Sequence, residues 1–275
     1  MERRLHPAAG AAAAQWPEKR KTSIVSMMLV FFVSGAIHWF VALAAFGRDV
    51  IQIIRDNPRE FLDGYRLTIV LTLLAMALAV VLGAIVALLR TSDFWLLRFF
   101  SGVYVEVFRN TPLLLQLYFF FFALPKFPRF DLPLYGEVTW LLSPFQAGLI
   151  GLTLYTGAYT SEALRSGLAS VDKGQNEAAR SLGLNYVQTR VHVIVPQAVR
   201  IAIPLLTSIF SALFRNSALV SVIGVTELLQ SADNIQQRNF LTFEAFTAAG
   251  LLYLALTLPL AWASSRLEHR VGRSR

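Results

Sequence analysis

Apolar residues along this chain fall in long blocks rather than periodic stripes, with charged residues gathered between the blocks. A helix crosses about 30 Å of hydrocarbon with roughly 20 mainly apolar residues. Six blocks approach or exceed that length: 24–46, 67–89, 103–124, 144–159, 198–225 and 243–262. The fourth is short and the fifth long, so a tilt or a break is expected there. The first follows a basic flank and contains Ala42-Leu43-Ala44, as a signal peptide would, although its flank and apolar run are both longer than usual. Retained or cleaved, it leaves Gly47 on the outer side. The pattern predicts an all-α integral membrane protein of about six transmembrane helices.

The polar stretch 161–195 is too long for a simple connector. It predicts two helices, 161–170 and 175–182, separated by Val171-Asp172-Lys173-Gly174. Gly183 is placed to cap the second, and Pro196 to open the next membrane helix in its first turn. Ala178, Leu182 and Val187 would form an apolar face, suited either to a protein partner or to the bilayer interface.

Composition agrees with the blocks: 55% of the 275 residues are apolar and 15% charged, with mean hydropathy +0.53. The net charge of +8 does not indicate nucleic acid, because the cations flank apolar spans. With the N-terminus cytoplasmic, fifteen Lys and Arg lie inside, namely Arg3, Arg4, Lys19, Arg20, Lys21, Arg90, Arg98, Arg165, Lys173, Arg180, Arg190, Arg266, Arg270, Arg273 and Arg275. Seven lie outside: Arg48, Arg55, Arg59, Arg66, Lys126, Arg129 and Arg238. That bias makes the stretch 161–195 and both termini cytoplasmic.

Charges within or near the spans are costly unless paired or facing water. Glu106 and Arg109 stand at i and i+3 and can pair, with Glu162 as an alternative partner for Arg109. Arg200 is expected to snorkel to the interface. Arg215, Asn216 and Ser217 interrupt the fifth block with three polar side chains in succession, which points to an unwound or cavity-facing stretch on a translocation pathway. Thr111-Pro112 could add a polar notch beside it, or simply a packing kink, and Pro204 a further kink. The aromatic run Tyr118 to Phe122 reads as a lipid-facing or subunit-packing surface.

Other chemistries lack their residues. With no cysteine there is no thiolate site, and His6, His38, His192 and His269 are scattered. None of Lys19, Lys21, Lys126 and Lys173 follows a glycine-rich phosphate loop, so any ATP hydrolysis belongs to another polypeptide. Residues 47–64 and 126–142 are short and rich in proline and charge; Asp131-Leu132-Pro133 argues for an irregular loop. Residues 1–23, with the Ala8 to Ala14 run, read as a flexible cytoplasmic extension.

Between Glu177 and Pro196 the chain reads E-A-A-x3-G-x9-V-I-V-P. This resembles the EAA signature of bacterial ABC importer permeases, whose usual ending is I-x-L-P. The likeness extends over Phe108-Arg109-Asn110-Thr111-Pro112-Leu113, Tyr155-Thr156-Gly157-Ala158-Tyr159, Val171-Asp172-Lys173-Gly174-Gln175, Pro196-Gln197-Ala198, the run from Asn216 to Gly224, and Arg266-Leu267-Glu268-His269-Arg270. Together these are similar to the polar amino acid branch, the histidine, glutamine and glutamate systems, from about Phe61 to the C-terminus.

The resemblance implies a five-helix permease core over 61–270, with 24–46 as an additional N-terminal helix. It implies a second permease subunit, a cytoplasmic ATPase dimer that carries ATP and Mg, and an extracytoplasmic binding protein. Coupling to the ATPase would fall to Glu177, Ala178, Ala179, Gly183, Lys173 and Gly174. Transport would pass Arg215, Asn216, Ser217, Thr111 and Arg109, in a bacterial inner membrane. Some relatives carry Lys-Asp-Thr-Ser where this chain has Arg215-Asn216-Ser217-Ala218, and the form with Asn and Ser resembles permeases for acidic amino acids. The competing class is an ion-coupled secondary transporter, which would need an internal repeat and a titratable residue or ion site near mid-membrane; no internal repeat is visible, and mid-membrane carboxylates are scarce.

Overall fold

The computed structural model describes residues 42–126, 130–132, 136–138 and 142–272. The chain divides into an N-terminal unit ending at Gln52 and a second unit from Ile53 onward. In the first, residues 42–52 are helical. The expected extension 1–23, and most of the expected first span, lie outside the described residues.

In the second unit the main elements are α1 (Pro58–Arg90), α2 (Trp95–Asn110), α3 (Leu113–Tyr118), α4 (Pro144–Ala169), α5 (Lys173–Ser181), α6 (Tyr186–Thr189), α7 (Val195–Asn216), α8 (Leu228–Asn239) and α9 (Thr242–Gly272). Three helical paths among the described residues are long and apolar enough to cross a membrane: Pro58–Arg90, Tyr186–Ile223 and Thr242–Ala263.

Helix α1 is apolar on all sides, so its sequence alone does not mark an inner face. Size does. Ala75, Ala79, Gly83 and Ala87 are buried at four-residue intervals, while Leu74, Leu78, Val81 and Ile85 are exposed. A stripe of small residues lets backbones approach closely where a bilayer offers no hydrophobic drive to association. A Cβ added to Gly83 would stand 2.7 Å from Thr160 and 2.9 Å from the backbone nitrogen of Ser161. Two turns further along α4, a Cβ at Gly167 would meet the carbonyl of Ala198 on α7 at 2.5 Å. The larger core, with Leu71, Leu113, Leu117, Leu152, Leu213, Val220 and Ile223, gathers α1, α3, α4, α7 and the 3₁₀ segment Ser217–Ile223.

Several expectations need correction. The apolar block 103–124 is not one helix: α2 ends at Asn110, Thr111 turns extended (φ −107°, ψ 141°) and α3 begins after Pro112. Proline disfavours helical geometry in the residue before it and lacks the N–H for the ladder. Residues 161–169 form no separate helix but continue α4, because Ser161, Ala163 and Gly167 extend its buried stripe. The helix that holds the fourth block is therefore 26 residues long rather than short. Pro196 does stand in the first turn of α7, yet the helical path starts at Tyr186 and reaches it through a π turn, Arg190–Ile194. Residues 130–132 and 136–138 are not irregular: they pair antiparallel, with Phe130 opposite Val138 and Leu132 opposite Gly136. Helix α8 was not expected, its short sequence being mostly polar.

The break foreseen in the fifth block is present. Helix α7 ends at Asn216, and the chain continues as the 3₁₀ segment to Gly224, which closes it at φ +86°.

Candidate functional site

Helix α5 is nine residues long and held by local chemistry. Asp172 accepts a hydrogen bond from the Gly174 N–H at 2.7 Å, and a Cβ at Gly174 would crowd that carboxylate at 2.8 Å. At the other end Gly183 takes φ +83°, where the Gly183 and Leu184 N–H groups donate to the carbonyls of Arg180 and Ala179. This is the glycine-closed helix end expected from the sequence. Between α5 and α7, Gln197 Nε2 donates to Gln175 Oε1 at 3.0 Å.

Burial divides the signature. Ala179 is buried, whereas Lys173, Gly174, Glu177, Ala178 and Gly183 are exposed. Of the expected apolar face, Ala178, Leu182 and Val187 are all exposed, Leu182 at 83%. Space around Gly183 is open within 4 Å. Beside α5 lies a cavity of about 410 Å³ bounded by Asp172, Lys173, Asn176 and Glu177 on one side and Tyr186 and Arg190 on the other. Arg190 stacks on the Tyr186 ring at 5.1 Å, and Glu177 makes no ion pair among the described residues.

Arg109 meets its alternative expected partner, Glu162, and not Glu106. Glu106 accepts from Asn110 Nδ2 at 2.7 Å, while Arg109 lies 3.9 Å from Glu162 on α4. Its guanidinium also covers the Tyr159 ring at 5.3 Å. Glu162 gathers two more cations, Arg90 at the end of α1 and Arg165 on its own helix. The i and i+3 spacing misled because the carboxylate from another helix meets three guanidinium groups at once.

The two interrupted stretches are close in the fold, since α3 packs against the 3₁₀ segment. At the first, Thr111 is exposed, and buried Gln116 stitches the break by donating from Nε2 to the carbonyls of Phe108 and Thr111 and to Thr111 Oγ1. At the second, Arg215 is exposed with no ion pair among the described residues, Asn216 is partly buried, and Ser217 is buried with its hydroxyl donating to the Phe214 carbonyl at 2.7 Å. Arg109 does not join this group; its contacts are with Tyr159 and Glu162.

Glu227 was missed. It is fully buried, caps α8 by accepting from the Gln230 N–H at 2.9 Å, and accepts from the hydroxyls of Tyr253 on α9 and Thr68 on α1. An acidic residue at a helix start was the available signal, but nothing in the sequence marks its burial. Among the described residues no cluster of His, Asp and Glu could hold a metal.

Comparison with known proteins adds independent findings. The family model described as "Binding-protein-dependent transport system inner membrane component" matches residues 79–273. The chain is similar to the probable glutamine ABC transporter permease protein GlnM of Bacillus subtilis, 38% identical over 82% of this chain and 99% of the relative. It is similar to the glutamate/aspartate import permease protein GltK of Escherichia coli O6:H1, 31% identical over 82% of this chain and 98% of the relative. A solved amino acid ABC transporter with histidines superposes with a TM-score of 0.71 at 34% identity, covering 80% of this chain and 97% of that one.

Proposed function

This chain belongs to the family of binding-protein-dependent transport system inner membrane components, and on that premise we propose that it forms half of the pathway of an ATP-driven amino acid importer. Its role is transport, not catalysis. A second permease subunit, identical or homologous, completes the pathway. A cytoplasmic ATPase dimer binds ATP and Mg, and an extracytoplasmic binding protein delivers the amino acid. The inner membrane holds the complex, with both termini and the α5 loop cytoplasmic.

The observation that best supports this reading is the α5 loop itself. It is locally capped, exposed on its apolar and acidic faces, and joined through three residues to α4. A short helix of that kind can be gripped from outside and can move the helices at its two ends. Closure of the ATPase dimer on ATP would draw α5 along, and α4 and α7 would follow so that the cavity opens outward. The differential contact of the ATPase with α5 in its two states supplies the free energy of the shift.

Arg215, Asn216, Ser217 and Thr111 sit at two helix interruptions whose flanking segments pack together, an arrangement suited to a substrate path. The cation of Arg215 has no ion-pair partner among the described residues, which favours an anionic side chain, and glutamate or aspartate is the leading substrate. Glutamine is the second reading, favoured by the named role of GlnM.

The test is purification from a lipid-mimetic system with cysteine labelling beside it. The chain should bring down an ATPase subunit. Ser170→Cys should be shielded from an impermeant thiol reagent in intact cells, and Leu132→Cys should be labelled. Absence of any ATPase, or the reverse labelling, would overturn the assembly or the orientation.

A further inference from the structure

We infer that Glu162 is the joint through which displacement of the α5 loop reaches the translocation pathway, a positioning role that rests on the permease reading above. Glu162 stands on α4 seven residues before the helix ends at Ala169, with only Ser170–Asp172 between that end and α5. Arg165, from the same helix, donates from Nε to Oε1 at 3.0 Å. The other oxygen faces two other helices: it receives Arg90, the last residue of α1, and lies 3.9 Å from Nη1 of Arg109, the penultimate residue of α2.

One negative charge thus faces three positive ones. Glu106, the acidic residue of α2 itself, is turned to Asn110. Attraction to Glu162 is what lets the ends of α1 and α2 share a place where their guanidinium groups would repel each other. Tyr159, one turn earlier on α4, lies under Arg109 and donates from its hydroxyl to the Arg109 carbonyl at 3.4 Å, so α4 holds the end of α2 at two points.

The end of α2 is also the start of the Thr111-Pro112 break. Beyond it α3 packs on the 3₁₀ segment that follows Arg215 and Asn216. The chain therefore leads from α5 into α4, and contacts run on from Glu162 to Arg109, the break, α3 and the interrupted end of α7. Contiguity alone does not make a route, and energetic coupling has to be measured. What singles out Glu162 is that it ties helix ends together beside a seam that is packed without it. Its side chain remains 24% exposed, and α1 and α4 already meet through Gly83 and Thr160. A carboxylate mostly buried among guanidinium groups fixes where the ends of α1 and α2 sit, and its loss leaves those cations to move apart.

The experiment reconstitutes the complete complex, with ATPase and binding protein, in liposomes and counts radiolabelled glutamine and glutamate taken up per ATP hydrolysed. Glu162→Gln should lower that ratio at least fivefold with hydrolysis kept within twofold of wild type. Arg109→Gln should lower it in the same direction, and the double variant should be no worse than Glu162→Gln alone. Arg165→Gln, which breaks only a contact within α4, should change the ratio less than twofold. Proportional loss of uptake and hydrolysis in Glu162→Gln, or a wild-type ratio, would overturn the joint. If Glu162→Gln does not insert, Arg109→Gln decides, since it removes a surplus cation and leaves Glu162 two partners; a wild-type ratio there has the same force. A wild-type complex that hydrolyses ATP without any uptake would instead sink the permease reading, and the joint with it.

Discussion

Between α1 and α4 every approach is set by atoms that this chain supplies: Gly83 against Thr160 and Ser161, Gly157 against Leu82, and buried alanines along the seam. At α5 the chain supplies only the ends. Asp172 and Gly183 start and stop the helix, Gln175 meets Gln197, Ala179 is buried, and the other residues of the helix are exposed. The α1–α4 seam is complete within one subunit, whereas the outer face of α5 acquires meaning only against something else. Substitutions in the seam should therefore be read out in the amount of folded protein. Substitutions on α5 should be read out in transport.

The largest effect tests this contrast at two glycines. Gly83→Leu forces a side chain where even a Cβ would sit 2.9 Å from a backbone atom, and overpacking of this kind costs about 1–3 kcal/mol or more. That is a large part of the margin by which proteins are folded. Membrane-inserted, monodisperse protein, measured by fluorescence-detected size exclusion, should fall severalfold or vanish. Gly183→Ala meets open space, and its cost is confined to the left-handed backbone, about 1–2 kcal/mol. It should leave most of the protein present while reducing uptake. Equal loss of protein from both would erase the contrast.

Next in size is the exposed acid of the loop. Glu177→Lys reverses a charge that has no ion pair within the described chain, so abundance and melting temperature should stay within a few degrees of wild type. Uptake by the reconstituted complex should fall at least tenfold, and the ATPase should be recovered in lower yield with the variant. Full uptake would mean that Glu177 does not face the partner.

The legibility of the sequence divides along the same line. The long helices α1, α7 and α9 were readable from apolar blocks, and the Gly183 cap from a glycine behind a helix-prone run. The packing of α1 was not, because an all-apolar helix shows no moment, and only its four-residue spacing of small residues marks the inner face. Helix α4 was cut too early because Glu162 and Arg165 read as the start of a polar loop, when their charges are satisfied by Arg90 and by each other. Helix α8 was missed although Leu228, Ser231, Ala232 and Ile235 follow helical spacing, since only two of those four are strongly apolar. Among the candidate residues, those of the loop stand out as a contiguous signature and Arg215 as a charge in an apolar block. The roles of Glu162 and Glu227 depend on partners distant in sequence. Thr68 is separated from Glu227 by 159 positions, and no local pattern announces such a contact.

The smallest expected effect concerns selectivity, where the contrast is finest. Arg215 resembles α5 in lacking an ion-pair partner within the described chain, yet it lies at a helix end beside the packed core, with Phe214 and Ser217 buried around it. Were it only a snorkelling surface charge, Arg215→Gln would alter nothing that depends on the substrate. Along a low-dielectric path its field acts on the side chain being carried, favouring an anion and opposing a cation. The variant should therefore lose glutamate transport relative to glutamine by about threefold to tenfold, roughly 0.7–1.4 kcal/mol, with glutamine little changed. Competition of the two amino acids and arginine in proteoliposomes, with the same binding protein throughout, measures that ratio. An unchanged glutamate-to-glutamine ratio would assign selectivity to the binding protein and return Arg215 to the partnerless surface of which α5 is the larger example.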